Sequence, residues 1–138
     1  MRELYIKNLC IEITRRCNMR CTHCMRGDAE SVDIPLKHIS NLLRHVRHIR
    51  HFNITGGEPF IRTDLKDIVR ELYKKSNRIV ISTNGFFTDR IVDLCKEFPQ
   101  IGIRISIEGL EQTNNEIRGL QNGYQRGYGT LKKLREMG

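Results

Sequence analysis

Apolar positions recur along the chain with two alternating periods, and that alternation carries the first structural reading. Residues 9–14, Leu-Cys-Ile-Glu-Ile-Thr, are a β-branched run that predicts a first strand. Leu36, Ile39, Leu42, Leu43, Val46 and Ile49 then recur at spacings of three and four, one apolar face of an amphipathic helix entered at Pro35. Residues 52–55 predict a second strand. Leu65, Ile68, Val69 and Leu72 predict a helix over about residues 64–75, with Thr63 or Asp64 as its cap. Residues 78–82 read as a third strand, followed by a helix capped by Thr88 and carrying Ile91, Val92, Leu94 and Cys95. Residues 101–107 alternate as a fourth strand. A polar loop to Arg118-Gly119 and a last helical stretch ending Leu131-Lys132-Lys133-Leu134 complete the fourth unit. Strands alternating with crossover helices imply an α/β fold with a parallel sheet, and right-handed connections between neighbours curl such a sheet toward a barrel.

Composition narrows the class without changing that reading. The chain has 138 residues, of which 38% are hydrophobic and 29% charged, as expected for one globular domain over residues 1–138. No apolar stretch approaches a membrane span, and residues 1–8 carry charge instead of a signal-peptide core, so a cytoplasmic protein without membrane contact is expected. The net charge of +8 raises nucleic acid as a partner. The basic residues are scattered over the helices and aromatics are only 7%, which argues against it and leaves docking of an acidic electron-transfer partner, or plain solubility. His38, His45, His48 and His51 interleave with Arg44, Arg47 and Arg50, a solvated basic surface more than a metal site. The five cysteines are odd in number and three are crowded into one loop, favouring reduced thiols with a metal over a disulfide framework. Cys10 and Cys95, among apolar neighbours, are expected to be small buried hydrophobes.

The chemistry concentrates in the loop behind the first strand, which holds Cys17, Cys21 and Cys24. Thiolate is the ligand form of cysteine, and Arg15, Arg16, Arg20 and Arg26 nearby would favour it. The spacing is neither of the ferredoxin runs. Three thiolates on a four-iron cluster would leave one iron open, as catalytic zinc sites leave one position open. Gly56-Gly57-Glu58-Pro59, Thr83-Asn84-Gly85 and Ser106-Ile107-Glu108-Gly109 follow the second, third and fourth strands, at the strand ends where parallel α/β folds gather their active sites. A bare Gly-Gly is otherwise an ordinary turn signal. A non-catalytic iron-sulfur module and a structural zinc site completed by His23 or another histidine remain open on these residues alone.

With Cys17, Cys21 and Cys24 in a Cys-x-x-x-Cys-x-x-Cys signature and Gly-Gly-Glu-Pro at 56–59, nearly the whole chain resembles the radical S-adenosylmethionine (SAM) enzymes. Ser-Thr-Asn-Gly, Ser-Ile-Glu-Gly and Arg118-Gly119 are most similar to the branch with molybdenum-cofactor biosynthesis, peptide-modifying and sulfatase-maturing members. The resemblance implies that the three cysteines hold three irons of a four-iron four-sulfur (4Fe-4S) cluster whose fourth iron takes the amino and carboxylate groups of SAM. It places His23 near the adenine, Gly56, Gly57 and Glu58 at the methionine amino group, Ser106 and Arg118 at the ribose and carboxylate of SAM, and Thr83 and Asn84 on the substrate side. The implied reaction is one-electron cleavage of SAM to methionine and a 5'-deoxyadenosyl radical, which abstracts hydrogen from a substrate that the sequence does not identify. A flavodoxin- or ferredoxin-type protein is the implied one-electron donor. Glu108 and Asn114 stand where relatives more often have Asp and His. The family fold is a partial TIM barrel of six strands, whereas four units are legible here. The expectation is therefore a (βα)4 portion of that barrel, incomplete at its C-terminus, a fragment that can fold yet lack a substrate pocket, with its open sheet edge as a route to a homodimer.

Overall fold

The computed structural model describes residues 4–25, 30 and 32–138. Its strands are β1 (Leu4–Glu12), β2 (Val46–Thr55), β3 (Ile79–Thr83) and β4 (Gly102–Ile105), and its helices are α1 (Leu36–Arg44), α2 (Leu65–Tyr73), α3 (Thr88–Glu97), α4 (Glu111–Arg118) and α5 (Gly123–Met137). The strands form one sheet in the order β1-β2-β3-β4, each neighbour pair parallel, so β1 and β4 are its edges. This is the α/β arrangement that the alternating periods predict.

One face of the sheet holds the core. Phe52 and Ile54 of β2 and Ile79 and Ile81 of β3 are buried beneath Ile39 and Leu43 of α1, Leu65, Ile68, Val69 and Leu72 of α2, and Ile91 and Leu94 of α3. Strand side chains alternate between faces, so the row Cys10, Asn53, Val80 and Gly102, in register across the four strands, points the other way. Cys10 is exposed there and is not the buried hydrophobe its apolar neighbours suggest, whereas Cys95 packs half-buried against the core and burial pushes its thiol pKa up.

Several elements depart from the sequence pattern. The helix expected to reach Ile49 ends at Arg44, and β2 begins at Val46. Val46, Ile49 and Phe52 are each essentially inaccessible, so burial keeps a three-residue spacing into the first half of β2. A spacing of three suits a helix face, but pairing with β1, irregular between Leu4 and Tyr5, decides the outcome. Consequently β1 also starts earlier than expected. Residues 111–118, read as loop, form α4, whose polar sequence offers no apolar stripe; Gly119, at φ 65°, caps it in the left-handed conformation. The last helix starts as early as Gly123 despite the weak helix propensity of Gly123, Gly127 and Gly129. Thr88 is the first residue of α3, not its cap, and its hydroxyl instead meets Thr130 Oγ1 at 2.6 Å. Among the described residues no helix is long and apolar enough to cross a membrane.

Candidate cofactor site

Pairing between β1 and β2 continues one step past the strands through Ile13 N–H to Thr55 C=O, and then the cysteine loop leaves and returns through a closed neck. Thr14 and Asp33 form an antiparallel bridge, Arg15 N–H donates to Val32 C=O, and Ile34 N–H donates to Ile13 C=O. Arg62, with a side chain only 4% exposed, locks this neck: its Nη1 donates to the carbonyls of Ile13 and Ile34, each at 2.7 Å, while Nε and Nη2 grip the carboxylate of Asp64. Arg16 pairs with Asp33 through two hydrogen bonds, and Thr14 donates a third. Sequence reasoning missed Arg62, because Arg-Thr-Asp reads as ordinary surface charge until the fold buries it.

The double glycine serves this junction. Gly57 N–H donates to Thr14 C=O and Glu58 N–H to Arg16 C=O, both at 2.8 Å. A Cβ on Gly56 would lie 2.4 Å from Thr14 O and one on Gly57 2.2 Å from Arg16 O, so the close approach is first of all to the chain's own backbone. Glu58 is fully buried. Its carboxylate accepts from Phe60 N, Thr83 Oγ1 and Asn84 N, and it does not line the cavity beside it. Burial raises its pKa, against the pull of those donors and of the Arg118 charge.

The cavity has a volume of about 680 Å³ and lies at the carboxyl ends of the strands. Cys17, Cys21 and Cys24 line it together with His23, Gly56, Gly57, Thr83, Asn84, Ser106 and Arg118, so of the residues singled out by the resemblance only Glu58 is absent from its wall. The C-terminal end of α4 holds the loop from the far side: Arg20 N–H donates to Arg118 C=O and Thr22 N–H to Ile117 C=O. Buried Arg118 directs Nη2 at Glu108 Oε1 and Nη1 at Cys21 Sγ, 3.7 Å away. His23 Nε2 lies 4.0 Å from the same Glu108 oxygen. Asn114, buried, accepts from Glu108 N–H through Oδ1.

Of the arginines close to the cysteines in sequence, those within the described residues make their contacts with other partners. Arg16 is spent on Asp33, Arg20 on the carbonyls of Cys17 and Met19, and Arg15 lies beside Glu12, whereas Arg26 falls outside the described residues. The Cys17 thiol is pushed up, mainly by burial, with a hydrogen bond from Met19 N–H acting the other way. Thr83 and Asn84, expected on a substrate side, line the cavity, where Thr83 Oγ1 donates to Glu58 and Asn84 Nδ2 to Asn18 of the cysteine loop.

The residues fit a thiolate-bound cluster with an anionic ligand beside it. Three thiols share one cavity, and Arg118 Nε is buried with no hydrogen-bond partner among the described residues. The same residues do not converge as ligands of a single ion, since among the described residues no three His, Cys, Asp or Glu side chains are so grouped.

A family model described as "Radical SAM superfamily" matches residues 11–138. Curated relatives include Fe-coproporphyrin III synthase of Methanosarcina barkeri, 30% identical over 91% of this chain and 33% of the relative, and a probable GTP 3',8-cyclase of Archaeoglobus fulgidus, 28% identical over 88% of this chain and 44% of the relative. The chain thus spans between a third and a half of their lengths. Among solved structures, Streptococcus suis SuiB bound to S-adenosylmethionine superposes with a TM-score of 0.79 at 21% identity, over 96% of this chain and 32% of SuiB, which identifies the fold as the partial barrel of these proteins.

Proposed function

The chain belongs to the radical SAM superfamily, and we propose that it forms the part of an enzyme that binds a 4Fe-4S cluster and S-adenosylmethionine. The observation that carries this reading is the convergence of three thiols, the Gly56-Gly57 backbone, Ser106 and a partly unpaired buried guanidinium on one cavity. When bound, the two groups together supply a one-electron cleavage of the sulfonium, whose carbon-radical product takes hydrogen from a substrate. Cys17, Cys21 and Cys24 would hold three irons of the cluster. The free Nε of Arg118 suits the carboxylate of the methionine moiety, because a buried guanidinium gains most from a charged acceptor. Backbone groups of Gly56 and Gly57, with no side chain to block them, suit its amino group, and Ser106 suits the ribose hydroxyls. Glu58 acts behind this wall by fixing the loop after β3. Exposed Arg15 and Arg20 flank the cysteines and would meet an acidic one-electron donor of the flavodoxin or ferredoxin type.

The test is anaerobic reconstitution with iron and sulfide followed by electron paramagnetic resonance of the reduced protein, with and without SAM, and with Cys24→Ala as control. A four-iron signal that shifts on adding SAM is expected. A signal indifferent to SAM would reduce the chain to a cluster-binding module, and the absence of any signal would overturn the cluster-binding reading.

A further inference from the structure

Asn84 sits at the end of β3, and three contacts leave its side chain one orientation. Its backbone N–H donates to Glu58 Oε2 at 2.7 Å. Its Oδ1 accepts from Phe86 N–H at 3.0 Å, and because that partner can only donate, the amide nitrogen must face the other way. There Nδ2 donates one hydrogen to Asn18 Oδ1 at 2.8 Å, and Cys17 Sγ, 4.0 Å away, stands within reach of the second. The loop itself cannot drift. Glu58 grips it through Thr83 Oγ1 and Asn84 N on one side, and on the other Thr130 of α5 donates to Gly85 C=O at 2.7 Å. Glu58, Thr83, Asn84, Gly85 and Thr130 are buried, and the contacts of Nδ2 with Asn18 and Cys17 are part-buried, so the amide dipole acts where water screens it only in part.

From this we infer that Asn84 is a positioning and tuning residue for the Cys17 thiolate, and that the buried carboxylate of Glu58 acts through it. The inference rests on the cluster-binding reading above. Hydrogen bonds to cluster sulfurs are one of the means by which a protein sets a reduction potential. An N–H aimed at the Cys17 sulfur favours the state with the additional negative charge, and so favours reduction. The electron comes from dithionite in the titration and from a low-potential one-electron protein donor otherwise; no bond in the protein forms or breaks. Arg118 serves Cys21 in the same way, but its unpaired Nε gives it a second task, which leaves Asn84 as the cleaner probe.

The decisive measurement is a spectroscopic redox titration of the reconstituted protein and of Asn84→Asp, which keeps the shape and the acceptor for Phe86 but replaces the donor by a carboxylate oxygen. The reduced-to-oxidised ratio at a fixed applied potential is expected to fall about three- to tenfold or more, the fold-change of one hydrogen bond's net worth. Asn84→Ala, which removes the donor without adding charge, is expected to give a smaller shift of the same sign and guards against a folding failure of the first variant. In Glu58→Gln the amide oxygen stays with Phe60 and Thr83 and its NH2 group opposes Asn84 N–H. That variant should shift the ratio as Asn84→Ala does, and the double variant should add nothing further. Unchanged ratios in the Asn84 variants at full iron content, or additive effects in the double variant, overturn the inference. A wild-type protein with no reducible cluster would instead overturn the cluster-binding reading beneath it.

Discussion

Gly57 shows how much of this site is decided by single atoms. Its missing side chain lets Arg16 C=O come within hydrogen-bonding range of Glu58 N–H, and a methyl group there would stand 2.2 Å from that carbonyl. Backbone cannot rotate aside as a side chain can, so Gly57→Ala must push the cysteine loop away from β2. The expected cost is about 1–3 kcal/mol, the usual range for overpacking, read as a lowered urea midpoint, together with incomplete iron uptake on reconstitution. An unchanged midpoint and full iron uptake would show that the loop does not depend on this contact. The Gly-Gly-Glu-Pro run was legible as a special site from sequence, but its physical use was not. A glycine pair looks the same whether it admits a ligand or a neighbouring strand, and Glu58 looks like a surface carboxylate until Phe60, Thr83 and Asn84 close around it. The cysteines were legible because thiols at that spacing have few other uses.

At the scale of elements, the neck of the cysteine loop is held by charge as much as by backbone. The Arg62 guanidinium beside Asp64 holds that carboxyl below the usual carboxylate range. At Asp33 burial acts upward, but the hydrogen bonds from Arg16 and Thr14 prevail and the net direction is again down. A folded-state pKa below the unfolded one means that the unfolded chain binds more protons in acid. These pairs therefore stabilise fully above about pH 4, the ordinary carboxylate value, and lose that contribution as pH falls through the lowered folded values. Asp64→Asn should be less stable than the wild type at neutral pH, and thermal unfolding should show the gap closing as pH drops below about 4. Both carboxylates are about a third exposed, so salt should narrow the gap as well. A gap constant across that pH range would mean that Asp64 contributes shape and not charge. None of this neck was visible in sequence, since its partners are Arg62, Ile13 and Ile34, far apart along the chain. The same non-local pairing hid the start of β2: Val46 and Ile49 keep a helical spacing, and only β1 beside them makes the stretch a strand.

For the molecule as a whole, the two faces of the sheet do different work, and neighbouring residues of β3 separate them. Ile81 is fully buried against α2 and α3, whereas Ser82 points to the opposite side and lines the cysteine cavity. Parallel crossovers of one hand put every helix of the core on the same side, so stability is concentrated behind the sheet and chemistry in front of it. Ile81→Ala removes packing at the centre of the core and should cost about 2–5 kcal/mol. Ser82→Ala should stay within about 0.5 kcal/mol of wild type, as substitutions away from the core do, while it weakens SAM binding if that hydroxyl faces the cofactor. Urea unfolding of both variants, paired with calorimetric SAM binding to the reconstituted proteins, reads the two effects separately. Equal losses of stability would mean that the front of the sheet is part of the folding core, and Ser82 at the cavity wall would then need a structural explanation instead of a functional one.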